Sequence, residues 1–154
     1  MLEIATDASA SAGNAVSAWA WYAGDGKLGS GLCRPEAPLN IEYAEMTAML
    51  NALKHRSEPV AILTDSKVAL TVLDRMREGR PATSAIHDLA RDILNLAHPE
   101  TTFTWVKAHA GHPLNSCADY LARAQLQLEL NGVAMRGISK RLHRRRLALT
   151  SKIV

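Results

Sequence analysis

Four acids stand at separate places in this chain where a fold can aim them at one point. Asp7 closes the apolar run Leu2–Thr6, Glu45 lies in a helical segment, Asp65 closes Val60–Thr64, and Asp119 follows the segment HAGHPLNSCA. Carboxylates gathered without Cys or His ligands suit hard divalent cations. Mg²⁺ prefers oxygen, keeps several of its waters, and is held by a few carboxylates together with phosphate oxygens. Two such ions about 4 Å apart hold the attacking and the departing oxygen of an in-line displacement, so a phosphodiester is the natural substrate.

Each acid also has a plainer reading. Asp65-Ser66 precedes the helical stretch Lys67–Arg77, and aspartate in that place is a common N-cap. Asp7 alternates with Ala5 and Glu3, so a solvated strand end accounts for it equally. Glu45 is harder to dismiss. Its same-face neighbours on a helix are Ile41, Ala48, Met49 and Ala52, whereas Thr47, Asn51 and Lys54 mark the polar face. A carboxylate on a buried stripe needs a partner, and a cation is the usual one.

The elements that must position these acids follow from pattern. Leu2–Thr6, NAVSAWAWYA and LGSGLC are strands, the last two joined by a turn built on Asp25-Gly26, which predicts an antiparallel hairpin. GDGK is turn chemistry and not a phosphate loop, because the spacing and the following helix are missing. Then come helix Ile41–Arg56, strand Val60–Thr64, helices Lys67–Arg77 and Ser84–Leu96, strand Thr102–Val106 and helix Pro113–Leu130. Intervening helices imply parallel strands, whose ligands gather beyond the carboxyl ends, where Asp7 and Asp65 stand. The expected fold is α/β: a mixed five-stranded sheet, three strands antiparallel and the rest parallel additions, with helices on both faces. Trp19 and Trp21 project to one sheet face, where core packing or helix cover explains them better than base stacking.

The segments IATDASA, EYAEMTAMLNAL, AILTDSKVAL and WVKAHAGHPLNSCADYLARA occur in the order and approximate spacing of the type I ribonuclease H (RNase H) family, which cuts RNA in RNA–DNA hybrids. The chain resembles that family over roughly residues 1–130, and the last segment is the most specific. The resemblance implies an RNase H-like fold and an endoribonuclease that leaves 5′-phosphate and 3′-hydroxyl ends. Asp7, Glu45, Asp65 and Asp119 become catalytic ligands of two Mg²⁺ ions, with Mn²⁺ as a substitute. His109 becomes the loop histidine that assists proton transfer or product departure, and His112 is structural. Candidate substrate contacts are Ser9, Asn40 and Asn115, with Arg144, Arg145 and Arg146 of the tail. Two other readings stand beside this one, a DNA nuclease of the same fold and a noncatalytic hybrid-binding module. A zinc half-site at HAGH lacks its other ligands, since Cys33 and Cys117 form no CxxC pair.

The chain departs from the family pattern in three ways. Ala8 replaces a glycine that would let backbone approach nucleic acid closely. Glu42 stands where an Asn or Gln often reads the minor groove, and Asn40 is a candidate replacement. No basic, tryptophan-containing handle follows the second helix, only Arg75, Arg77 and Arg80.

Charge is divided unevenly. Residues 1–135 hold 11 Lys and Arg against 15 Asp and Glu, a balance of −4, whereas residues 136–154 hold seven Lys and Arg and no acid, +7. The expected organisation is a catalytic domain over 1–130 and a basic extension over 131–154, helical or disordered. At 154 residues and 47% hydrophobic content one full core is within reach. Two cysteines without framework spacing point to a reducing compartment. No charged n-region precedes an apolar stretch, and no apolar run reaches the ~18 residues of a membrane span. A soluble, cytoplasmic monomer acting on hybrid, without a membrane partner, is the expectation.

Overall fold

The Asp25-Gly26 pair makes the turn its chemistry predicts. In the computed structural model, Gly26 takes φ +88°, Gly26 N–H donates to the Ala23 carbonyl at 2.9 Å, and Asp25 Oδ1 accepts from Lys27 N–H at 3.1 Å. This turn joins β2 (Val16–Ala23) to β3 (Leu28–Leu32), which pair antiparallel. Trp21 faces Gly29 across the ladder and Trp19 faces Gly31. A Cβ on Gly29 would come within 2.4 Å of the Trp21 indole, and one on Gly31 within 2.6 Å of Trp19, so the two glycines make room for the two rings. Both tryptophans are half-buried, and Trp21 packs against the core.

The structure describes residues 1–11, 16–33, 41–80 and 85–131. Its sheet runs β3-β2-β1-β4-β5, where β1 is Leu2–Ser11, β4 is Val60–Thr64 and β5 is Thr102–Trp105. β1 pairs antiparallel with β2, while β1 with β4 and β4 with β5 are parallel. The mixed five-stranded sheet is therefore as expected. One face carries α1 (Ile41–Leu53), α2 (Lys67–Arg77) and α3 (Ala85–Leu96) over a core of Ile4, Met46, Met49, Ile62, Leu73 and Ile93. The other carries α4 (Pro113–Asn131), which packs Leu114, Cys117, Ala118 and Leu121 against Ala5, Ala20 and Leu63. Each large aliphatic side chain so buried contributes about 1.5–3 kcal/mol. Among the described residues no helix is long and apolar enough to cross a membrane.

Several boundaries differ from those expected. β1 does not stop at Thr6 but continues to Ser11, because β2 pairs with it as far as Ser11↔Val16 after pairing with β4 has ended at Ala5↔Leu63. α1 ends at Leu53 and not at Arg56. Arg56 instead turns its guanidinium to Asp25 at 3.1 Å, tying the helix end to the hairpin turn. β5 ends at Trp105, one residue early, and α4 runs one residue further, to Asn131. α2 and β4 have the expected bounds. α2 closes on Gly79 at φ +71°, where Gly79 N–H bonds Met76 O at 3.1 Å and Arg80 N–H bonds Arg75 O at 3.0 Å, a Schellman end.

Candidate active site

Parallel pairing brings two of the acids together. Asp65 follows the last residue of β4 directly, and Asp7 stands two residues past Ala5, the last β1 residue with a β4 partner. Both therefore project at the carboxyl end of the parallel pair. α1 crosses the sheet there and lowers Glu45 onto them. Glu45 is 4% exposed and Asp7 5%. One oxygen from each of Asp7, Glu45 and Asp65 lies within 4.8 Å of the others.

Asp65 is not the helix cap. Ser66 holds that place at φ −93° and ψ 103°, and its Oγ accepts from Ala69 N–H at 3.1 Å. The Asp65 carboxylate is left to face the other acids. Its backbone is held from β5, since Trp105 Nε1 donates to the Asp65 carbonyl at 3.3 Å. The Lys67 ammonium lies 4.5 Å from the Trp105 ring centroid, and Trp105 itself is 41% exposed. Glu42, Lys67, Trp105 and Lys107 line an open groove beside Glu45 and Asp65.

Crowding three acids has an electrostatic consequence. Burial, and then the charge of Asp65, pushes Asp7 up from 3.8 to about 7. Burial, and then Asp7, holds Glu45 well above the ordinary glutamate value. Asp65 is also raised, chiefly by burial and further by Asp119, while the Asn115 amide and His109 act in the opposite direction. Glu45 Oε2 is buried and has no hydrogen-bond partner among the described residues. An oxygen-only donor set with a buried, unmatched carboxylate oxygen fits a divalent cation.

Asp119 does not join that cluster. It lies on α4, and its Oδ2 is 2.7 Å from Arg123 Nη2, one turn further along the same helix. Asp119 remains near enough for its charge to raise both Asp7 and Asp65. His109 is exposed on the loop between β5 and α4 with φ +54°, a left-handed conformation uncommon outside glycine. With Asn115, Asp119 and Arg123 it lines a cavity of about 190 Å³. His112 caps α4: its Nδ1 faces Asn115 N–H at 3.5 Å, ahead of Pro113 at the first helical position. Among the described residues neither histidine belongs to a close group of three metal-ligating side chains, and Cys117 is buried on the sheet-facing side of α4.

Of the candidate substrate contacts, Ser9 is half-buried on β1, on the same side of the strand as Asp7. Asn115 is only 3% exposed, and its amide lies against Asp65 without a hydrogen bond of standard geometry. Asn40, Arg144, Arg145 and Arg146 fall outside the described residues. Sequence reasoning missed Arg123 and the Lys67–Trp105 contact. The first had a local signal, an Asp and an Arg at i and i+4 on a helix. The second had none, because the two residues meet only through the pairing of β4 with β5.

This arrangement of strand-end and helix carboxylates lies within residues 1–127, the span over which the RNase H family model matches the chain. The chain belongs to the RNase H family. The RNase H match takes in all three clustered acids together with His109, Asp119 and Arg123. The ribonuclease H of Tropheryma whipplei (strain Twist) is 36% identical over 131 residues, covering 77% of this chain and 80% of its own. That of Brucella ovis is 30% identical over 143 residues, covering 82% and 90%, and that of Ruegeria pomeroyi 33% over 109 residues, covering 62% and 70%.

Proposed function

We propose that this protein is a metal-dependent endoribonuclease that hydrolyses the RNA strand of RNA–DNA hybrids and leaves 5′-phosphate and 3′-hydroxyl ends. One observation carries the reading: carboxylates from β1, α1 and the end of β4 converge to within 4.8 Å in a chain of the RNase H family. When bound, two Mg²⁺ ions, or Mn²⁺ in their place, supply the Lewis acidity that generates the attacking hydroxide and neutralises the departing 3′ oxygen. Asp7, Glu45 and Asp65 hold the ions, with Asp119 as the fourth ligand. To do so Asp7 and Glu45 give up the protons that burial and mutual repulsion favour in the metal-free protein. His109, exposed on its loop, passes a proton to the product side.

The hybrid lies along the groove of Glu42, Lys67, Trp105 and Lys107 beside the acid cluster, where Lys67 and Lys107 offer two cations to its phosphates. Ser9 and Asn40 are further proposed contacts, and Arg144, Arg145 and Arg146 add affinity from the tail. All proposed metal ligands come from one chain, so a monomer suffices, acting in the cytoplasm. Labelled hybrid, duplex RNA and duplex DNA, each incubated with Mg²⁺ or a chelator, provide the test. Cleavage of the RNA strand of hybrid alone, lost with chelator, is the expected result. Cleavage of duplex DNA would favour a DNA nuclease, and hybrid binding without cleavage a noncatalytic module.

A further inference from the structure

Among the described residues, Asp119 is the one proposed ligand with an ion-pair partner. Its Oδ2 sits 2.7 Å from Arg123 Nη2, while the three other acids lie within 4.8 Å of one another without it. The helix beneath this pair is fixed. Cys117, Ala118, Leu121 and Ala122 are fully buried against the sheet, so Asp119 selects its partner by side-chain rotation alone. The two partners are unequal in exposure, Arg123 at 56% and Asp119 at 16%, so the guanidinium can leave for water while the carboxylate stays beside the cluster. A half-exposed pair of this kind is weakly held. The charge of Asp119 meanwhile repels those of Asp7 and Asp65, which favours its turn toward Arg123 until a cation draws the acids together.

We infer that Arg123 is a positioning residue that competes with divalent cations for Asp119 and so limits how tightly the metal centre is filled. An incoming ion must displace the guanidinium from the carboxylate, and it meets the field of that positive charge, which stays tethered to the neighbouring helical turn. The inference rests on the metal-centre reading given above. It deepens that reading by naming the residue that tunes the site.

Calorimetric titration with Ca²⁺, without nucleic acid, tests it on the full chain as wild type, Arg123→Gln, Arg123→Lys, Asp119→Asn, the Asp119→Asn/Arg123→Gln double variant and, as a control for the centre itself, Asp65→Asn. Arg123→Gln tightens Ca²⁺ binding about 5- to 10-fold, as expected for removing one screened charge beside the site. Arg123→Lys stays near wild type. In the Asp119→Asn background the gain shrinks, because the contested carboxylate is gone. Unchanged or weaker Ca²⁺ binding by folded Arg123→Gln, or the same gain with and without Asp119, would overturn the inference while leaving the metal centre intact. Failure of wild type to bind Ca²⁺, with Asp65→Asn no different, would sink the metal-centre reading itself and the inference with it.

Discussion

The carboxyl of Glu45 on α1 meets that of Asp7 on β1 inside the protein, an oxygen of each within 4.8 Å of the other, and burial with their mutual repulsion favours keeping a proton on the pair. A cation can replace that proton. The pair is thus strained by its own chemistry at neutral pH, and each remaining property of the site follows from how the strain is relieved.

Stability of the metal-free protein should fall as pH rises. Asp7 is raised from 3.8 to about 7 by burial and by Asp65, so the folded state holds a proton that the unfolded state releases. The stabilisation this provides is complete below about pH 4 and lost as pH passes through 7. In the presence of a chelator, Asp7→Asn should raise the Tm at pH 8 by roughly 3–8 °C and flatten the decline between pH 4 and 8. Thermal melts across that range check it; a variant less stable than wild type at pH 8 would refute the repulsion account.

Asp65→Asn keeps the shape of the side chain and removes its charge. Hybrid cleavage should be abolished while the fold persists, because the cap of α2 is Ser66 and not Asp65. Circular dichroism checks the fold and a labelled hybrid the activity. Substantial Mg²⁺-dependent turnover would contradict the assignment of this carboxylate as a ligand.

His109→Ala should slow turnover by about 10²-fold, typical of losing a positioned proton-transfer group, with metal affinity nearly unchanged. Calorimetry and single-turnover kinetics separate the two effects. A large loss of metal binding would make His109 a ligand instead.

Removal of residues 136–154 takes away all seven tail cations and none of the proposed ligands. Hybrid affinity should drop and its salt dependence flatten, each lost phosphate contact lowering the slope of log affinity against log salt by about 0.9. Turnover at saturating substrate should change little. Binding measured with Ca²⁺ across a salt series checks this, and identical slopes would mean that the tail does not touch the substrate.

The sequence by itself determined what rests on local signals. α2 was legible to the residue because it follows an apolar strand and an Asp-Ser pair directly, although the cap is Ser66 and not Asp65. Glu45 was legible as a buried acid because helical periodicity puts it on the stripe of Ala48, Met49 and Ala52, all of them buried, whereas Ile41, assigned to the same stripe, is exposed at the first residue of the helix. The family was legible in the segment running from Trp105 to Asp119. Only the tertiary structure decided the rest. β1 runs past Asp7 because β2 lies alongside it, an alignment set by pairing across the sheet and not by the apolar run that ends at Thr6. Trp105 and Lys67 meet through the register of β4 with β5. Asp119 and Arg123 are four residues apart in any helix, but which way the carboxylate turns depends also on the charges of Asp7 and Asp65 brought close by folding, and no local pattern carries that balance.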